Sequence, residues 1–198
     1  MDDLRTPDAH ARLGVIVGSL RSDSLTRRLA RALVAVSPAQ MRAQFLEIGD
    51  LPLYNEDLDI EVAPEPPAEW ARFRREVRES DAILFVTPEY NRSVPAPLKN
   101  AIDVGSAPHD QNAFAGLPAA VVSASPGRMD AFGANHHLRQ SLVFLDMPTM
   151  PQPELYLGGS HALFDESGQI VDPEMRRRLT DYMARFAGWV ARHVPVRA

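Results

Sequence analysis

The sequence predicts an α/β protein in which a parallel sheet of five strands alternates with five helices that cover both faces. Short apolar runs rich in β-branched residues recur along the chain, the clearest of them stopped by Gly-Ser or by proline, as buried parallel strands are. Between them, apolar residues return every three or four positions, the period of a helix with one buried face. Of the 198 residues, 45% are hydrophobic and 24% charged, the balance of a globular chain able to bury a full-sized core.

From Arg12, the run RLGVIVGS reads as the first strand. Leu25, Leu29, Leu33 and Val36 then recur at helical spacing with Arg27, Arg28 and Arg31 on the other side, and Pro38 ends that helix. Gln44 to Ile48 is the second strand candidate. DLPLYNEDLDIEVAPEPPAEW, Pro-rich and acidic with no Lys or Arg, reads as a solvated loop. Trp70, Phe73 and Val77 mark the apolar face of a second helix, and Ala82 to Thr87 (AILFVT) is the most strand-like run, stopped by Pro88. A short helix around Leu98 to Val104, a polar loop and a fourth strand from Pro118 to Ser123 follow. Ala134, Leu138, Leu142 and Leu145 give the next helix. The three prolines of PTMPQPELYLGG suit an edge strand rather than a central one. Asp172 can N-cap a last helix with Pro173 at its first position and Met175, Leu179, Met183, Phe186 and Val190 on its buried side.

Residues 1–10, MDDLRTPDAH, are polar and acidic and read as a flexible tail ahead of a single domain at residues 11–198; they lack the pattern of a secretory signal. No apolar run approaches the roughly 20 residues needed to cross a bilayer. With no secretory pattern, no spanning run and no cysteine for a disulfide, a cytoplasmic protein is expected, and a net charge of −5 argues against nucleic-acid or anionic-membrane partners. Without cysteine there is no thiol redox chemistry and no thiolate metal site, so any electron transfer needs a bound cofactor.

In doubly wound sheets, ligands bind beyond the carboxyl ends of the strands where strand order reverses. The loops leaving strands one, three and four are Gly18 to Thr26 (GSLRSDSLT), Pro88 to Ser93 (PEYNRS) and Ser123 to Arg128 (SASPGR), all rich in small, polar or turn residues. The first opens a helix, whose free N–H groups attract an anion. Ser19, Ser24 and Thr26 add hydroxyls and Arg21 a guanidinium suited to phosphate. Ser24 would equally serve as a plain helix cap with Arg21 solvated. Neither GxxxxGK[ST] nor GxGxxG is present, which favours a mononucleotide over a dinucleotide or a Walker-type site.

Gly18-Ser-Leu-Arg-x-x-Ser, Leu51-Pro-Leu-Tyr-Asn, Pro88-Glu-Tyr-Asn-x-Ser-x-Pro with Leu98-Lys-Asn-Ala-Ile-Asp, and His137-Leu-Arg-Gln fall in order on these segments. Together they resemble the NADPH-dependent FMN reductase family, nearest its branch of bacterial chromate and quinone reductases, from about Leu13 to Val190. The resemblance implies a flavodoxin-like three-layer α/β/α sandwich with strand order 2-1-3-4-5. It implies that Ser19, Arg21, Ser24 and Thr26 hold the phosphate of FMN, that Pro88, Glu89, Tyr90, Asn91 and Ser93 lie along the isoalloxazine ring, and that Ser125, Pro126 and Gly127 close its other edge. NADPH or NADH would be the electron donor and a quinone, free flavin, azo dye or chromate-like ion the acceptor. No catalytic side chain and no metal is required, because flavin N5 carries the chemistry. A homodimer or homotetramer is implied as well, with the LPLYNEDLD loop and the helix from Leu98 as contact candidates.

The chain departs from the family in two places. Pro95-Ala96-Pro97 stands where many members have Pro-Gly-Gly, and Pro97 can still occupy the first turn of a helix. Asp130 and Ala131 stand where a glycine pair is common. Glu89 and Tyr90 would also suit a subunit contact. His136-His137 reads as a solvated pair and Arg176 to Arg178 as the exposed face of the last helix. A serine hydrolase is disfavoured, since GxSxG is absent and neither Gly18-Ser19 nor Gly159-Ser160-His161 has an evident base and acid nearby. A non-catalytic FMN electron carrier or redox-sensing module is the rival from another class, although Arg21, Arg92 and Arg128 on the three loops favour a phosphate-bearing donor over a protein partner.

Overall fold

The computed structural model describes residues 10–159, 163–165 and 168–193. Most of the expected tail, and Ser160 and His161, lie outside the described residues. The sheet consists of β1 (Ala11–Val17), β2 (Met41–Phe45), β3 (Ala82–Thr87), β4 (Ala119–Ala124) and β5 (Leu155–Leu157), in the order β2-β1-β3-β4-β5. All neighbouring pairs are parallel. The connecting helices are α1 (Leu25–Ala35), α2 (Ala68–Glu79), α3 (Ala96–Ser106), α4 (Phe132–Phe144) and α5 (Pro173–His193), with short 3-10 turns at Glu56–Leu58 and His109–Gln111. This is the flavodoxin-like sandwich. Among the described residues no helix is long and apolar enough to cross a membrane.

Alternation along the strands builds two cores. Leu13, Val15 and Val17 of β1 and Leu84 and Val86 of β3 pack with Leu29 and Leu33 of α1 and Tyr182, Met183 and Phe186 of α5. Ile16, Ile83 and Phe85 face the other way onto Trp70 and Phe73 of α2, Leu98 of α3 and Leu138 and Leu142 of α4. The last helix starts as expected: the amide of Glu174 donates to Asp172 Oδ1 at 2.9 Å, and Pro173 takes the first position.

Two expectations need correction. The second strand lies three residues before Gln44–Ile48, because β2 is an edge strand whose Arg42 and Gln44 are exposed, whereas the apolar Leu46 and Ile48 follow its end and pack on the α2 and α3 layer. The acidic segment after β2 is only partly solvated. Asn100 of α3 accepts from the Tyr54 amide and donates to the carbonyls of Leu51 and Pro52, and Asp59 is buried against Arg74 of α2.

The outer edge of the sheet is short for a reason visible in the chain. Pro148, Pro151 and Pro153 interrupt the run that would pair with β4, which keeps β5 to three residues. Before β5 begins, β4 finds other partners: the Met150 amide donates to the Ala119 carbonyl at 2.8 Å, and the Tyr182 hydroxyl to that of Val121 at 3.1 Å. Burial pushes the Tyr182 phenol up, so it stays a donor there.

Candidate functional site

Strand register sets the site. Val17 lies beside Val86, and Thr87 beside Ser123, so β1, β3 and β4 end nearly level and release their loops side by side. At Gly18 the chain turns against β3, its amide donating to the Val86 carbonyl at 2.9 Å. A Cβ on Gly18 would stand 2.8 Å from Thr87 Oγ1 and 3.2 Å from Leu98 Cδ2, so only glycine fits this passage.

The loop then runs to Ser24, the N-cap of α1, whose Oγ accepts from the Arg27 amide at 3.1 Å and shares a hydrogen bond with Thr26 Oγ1 at 2.9 Å. Ser19, Ser24 and Thr26 are all buried. With the Arg27 amide capped and that of Arg28 bonded to the Ser24 carbonyl, the amides of Leu25 and Thr26 have no acceptor within the helix, and the first turn holds no acidic residue. The nearby cations differ in commitment. Arg27 pairs in a fork with Glu47 at 2.8 and 2.9 Å, a hydrogen bond that raises its pKa and lowers that of Glu47. Arg28 pairs with Asp23. The exposed guanidinium of Arg21 has no carboxylate partner among the described residues. The buried hydroxyls, the two amides and the Arg21 guanidinium are groups of the kind that can hold an anion at a helix start.

After β3, Tyr90 and Ser93 exchange both backbone hydrogen bonds, at 3.0 and 2.9 Å, around Asn91 and Arg92. Both central residues have positive φ, 50° and 65°. That is the two-residue hairpin for which Asn-Gly is the favoured sequence. Pro88, Glu89 and Ser93 are half-buried, while Tyr90 and Asn91 are exposed. The Glu89 side chain points to α4: Oε2 accepts from the Ala134 amide at 3.0 Å, and Oε1 from Arg92 Nη1 at 3.2 Å. Ser93 Oγ lies 2.7 Å from His137 Nδ1, also on α4. The sequence pattern did not show these pairings, since residues 44 or 45 positions apart meet only through the fold.

After β4, the Ser125 amide donates to the Leu157 carbonyl at 3.0 Å and its hydroxyl to the Gly127 carbonyl at 3.3 Å, while Pro126, Gly127 and Arg128 are exposed. Asp130 and Ala131 close the loop with φ of 55° and 57°. The left-handed backbone at both positions is what a glycine pair would adopt without strain. Beneath the loop, Asn135 donates to Ser123 Oγ at 3.1 Å, and that hydroxyl donates to the Asp130 carbonyl at 3.4 Å.

A parallel sheet in the order β2-β1-β3-β4-β5, with a helix-opening loop after its first strand and two tight polar loops after the next two neighbours, is a domain of the flavodoxin-like class. The model of the family described as NADPH-dependent FMN reductase matches residues 11–162, and the chain belongs to that family. It is 58% identical over 178 residues to a quinone reductase of Pseudomonas putida, covering 90% of this chain and 94% of that protein. It is 38% identical over 179 residues, with 90% and 96% covered, to the 2-hydroxy-1,4-benzoquinone reductase of a Burkholderia species. Among solved structures, FerB, a flavoenzyme NAD(P)H:(acceptor) oxidoreductase from Paracoccus denitrificans, matches with a TM-score of 0.86 and 36% identity over 92% of this chain and 98% of its own. The chain is an oxidoreductase.

Proposed function

We propose that this chain binds FMN and passes reducing equivalents from NADPH or NADH to a small acceptor of the quinone class. The observation that carries this reading is the anion cradle at α1: buried Ser19, Ser24 and Thr26, with an Arg21 that has no carboxylate partner among the described residues, fit a terminal phosphate, and the lack of acidic residues in the first turn suits its charge. Pro88 to Asn91, Ser93 and Ser125 to Gly127 then flank the flavin ring. When bound, the flavin supplies hydride acceptance from nicotinamide and electron release to the acceptor. What the chain supplies is position. Backbone amides of the two ring loops bind the polar edge of the ring, and their tight turns hold the ring plane open to a stacked substrate. The quinone reductase names of the relatives support the acceptor class.

Assembly into a dimer or tetramer completes the proposal. The segment after β2, α3 and the end of α4 meet in a groove lined by Tyr54, Glu56, Asp103, Ser106 and Phe144. Val143 and Phe144 stand 75% and 82% exposed beside it, an apolar pair that a second copy would cover.

The test is titration of flavin-free protein with FMN, FAD and riboflavin, followed by turnover of NADPH and NADH with 1,4-benzoquinone. One FMN per chain and nicotinamide oxidation that depends on the quinone are expected. FAD or riboflavin binding as tightly as FMN would overturn the phosphate assignment.

A further inference from the structure

We propose that Glu89 is a positioning residue that, together with Gly133, sets the gap between the two ring loops; this rests on the flavin reading given above. The first turn of α4 is where these loops meet. The 125–131 loop runs directly into it through the left-handed Asp130 and Ala131, and Ala131, the N-cap, makes no side-chain cap. The third amide of the helix, that of Ala134, would stand orphaned in such a start. It donates instead to Glu89, a residue of the other loop. A cap that a serine or aspartate at the N-cap usually supplies from within the same segment is here supplied across the site.

Gly133 provides a second, independent contact. A Cβ there would lie 2.9 Å from the Arg92 carbonyl oxygen and 3.0 Å from Glu89 Oε2. The hairpin backbone therefore rests directly on the helix, and a backbone atom cannot swing aside as a flexible side chain would. One turn further along, His137 meets Ser93 at 2.7 Å. The 88–93 hairpin is thus seated on α4 at three successive points, and α4 carries the 125–131 loop at its head. A ring placed between the loops meets two walls fixed to one rigid element, so the width of its slot follows from how closely Glu89 and Gly133 let the hairpin approach. This also reassigns the Glu89 carboxylate, which the sequence motif would place along the ring.

The experiment compares Glu89→Ala, Glu89→Gln and Gly133→Ala in the full chain by amide hydrogen exchange without flavin and by FMN affinity. Gln keeps an oxygen that accepts from the Ala134 amide, so Glu89→Gln should exchange like the wild type and bind FMN within about threefold, one lost rim ion pair being worth little. Glu89→Ala should speed exchange at Ala134, Tyr90 and Ser93 together and weaken FMN by about tenfold or more. Gly133→Ala should keep the Ala134 bond yet lose FMN affinity to a similar extent. Faster exchange confined to Ala134, with FMN affinity unchanged in both alanine variants, would reduce Glu89 to an ordinary helix cap and overturn the proposal. Equal losses in Glu89→Gln and Glu89→Ala would overturn it too, since the charge and not the cap would then matter. Absence of FMN binding by the wild type would instead overturn the flavin reading, and the exchange pattern would still decide whether the loops are coupled through α4.

Discussion

Arg74 and Asp59 face each other through two hydrogen bonds of 2.7 Å, with both side chains 3% exposed. Arg74 Nε also donates to the Val104 carbonyl at 2.8 Å, so the pair ties the segment after β2 to α2 and to α3. Removing one member leaves the other charged and buried. Asp59→Ala should therefore destabilise the fold by about 3–5 kcal/mol in urea unfolding, while replacing both residues with apolar ones should recover much of that loss. Burial alone raises the Asp59 carboxyl, but hydrogen bonds from Arg74 and from the Ile60 amide reverse this and hold it below the usual carboxylate range. Its contribution is thus whole above the unfolded value of about 4 and fades as pH falls through the lower folded value. The stability gap between wild type and Asp59→Ala should shrink only in that acid window; a gap that shrinks between neutral pH and pH 5 would contradict the assignment.

Arg21→Ala should weaken FMN by roughly 10- to 100-fold, the worth of a charge-assisted bond. Turnover at saturating flavin should remain near the wild-type rate, because the phosphate is unchanged in the reaction and its binding is uniform along it. A variant that keeps its flavin but loses turnover would place Arg21 elsewhere.

Arg92 holds a left-handed conformation at the hairpin position where glycine is favoured. Arg92→Gly should raise stability by about 1 kcal/mol, since the lost ion pair to Glu89 involves a side chain that is 68% exposed. Thermal unfolding would register this as a shift of a few degrees upward. A downward shift would show that the ion pair outweighs the strain.

Donor and acceptor should use the one open ring face in turn. Initial rates with both substrates varied should give parallel double-reciprocal lines and inhibition of each by the other. Intersecting lines without such inhibition would demand a second site.

Phe144→Asp should dissociate the assembly without loss of fold, as measured by light scattering together with circular dichroism. A monomeric wild type, or a variant with unchanged mass, would remove the α4 end from the interface.

Much of this architecture was legible in the chain. Apolar β-branched runs located β1, β3 and β4, while Gly18 and Pro88 marked the ends of β1 and β3 and Ser24 the start of α1, because each does a local job: a close pass, a stop, a cap. Features made by distant segments were not legible. Edge strand β2 lacks the buried pattern of its neighbours, so the apolar Leu46 and Ile48 drew the expectation downstream. Asp59 looked like one more solvated acid until α2 brought Arg74 against it. The PEYN motif put Glu89 on the loop after β3, but the pattern could not show that its side-chain partner is an amide 45 positions away. Asp130 and Ala131 broke a family pattern of glycines, yet their backbone kept the glycine conformation, which composition alone does not reveal.

The Tyr182 hydroxyl on the Val121 carbonyl bears on how copies of this chain can meet. A sheet edge with free carbonyls is a template on which another strand can grow, and stacking of such edges leads to fibres rather than closed assemblies. Here the template is interrupted by prolines and occupied by a phenol from the last helix. A further strand is thereby kept off this stretch of β4, while at the opposite edge of the sheet the exposed Arg42 of β2 puts a charge on the strand instead.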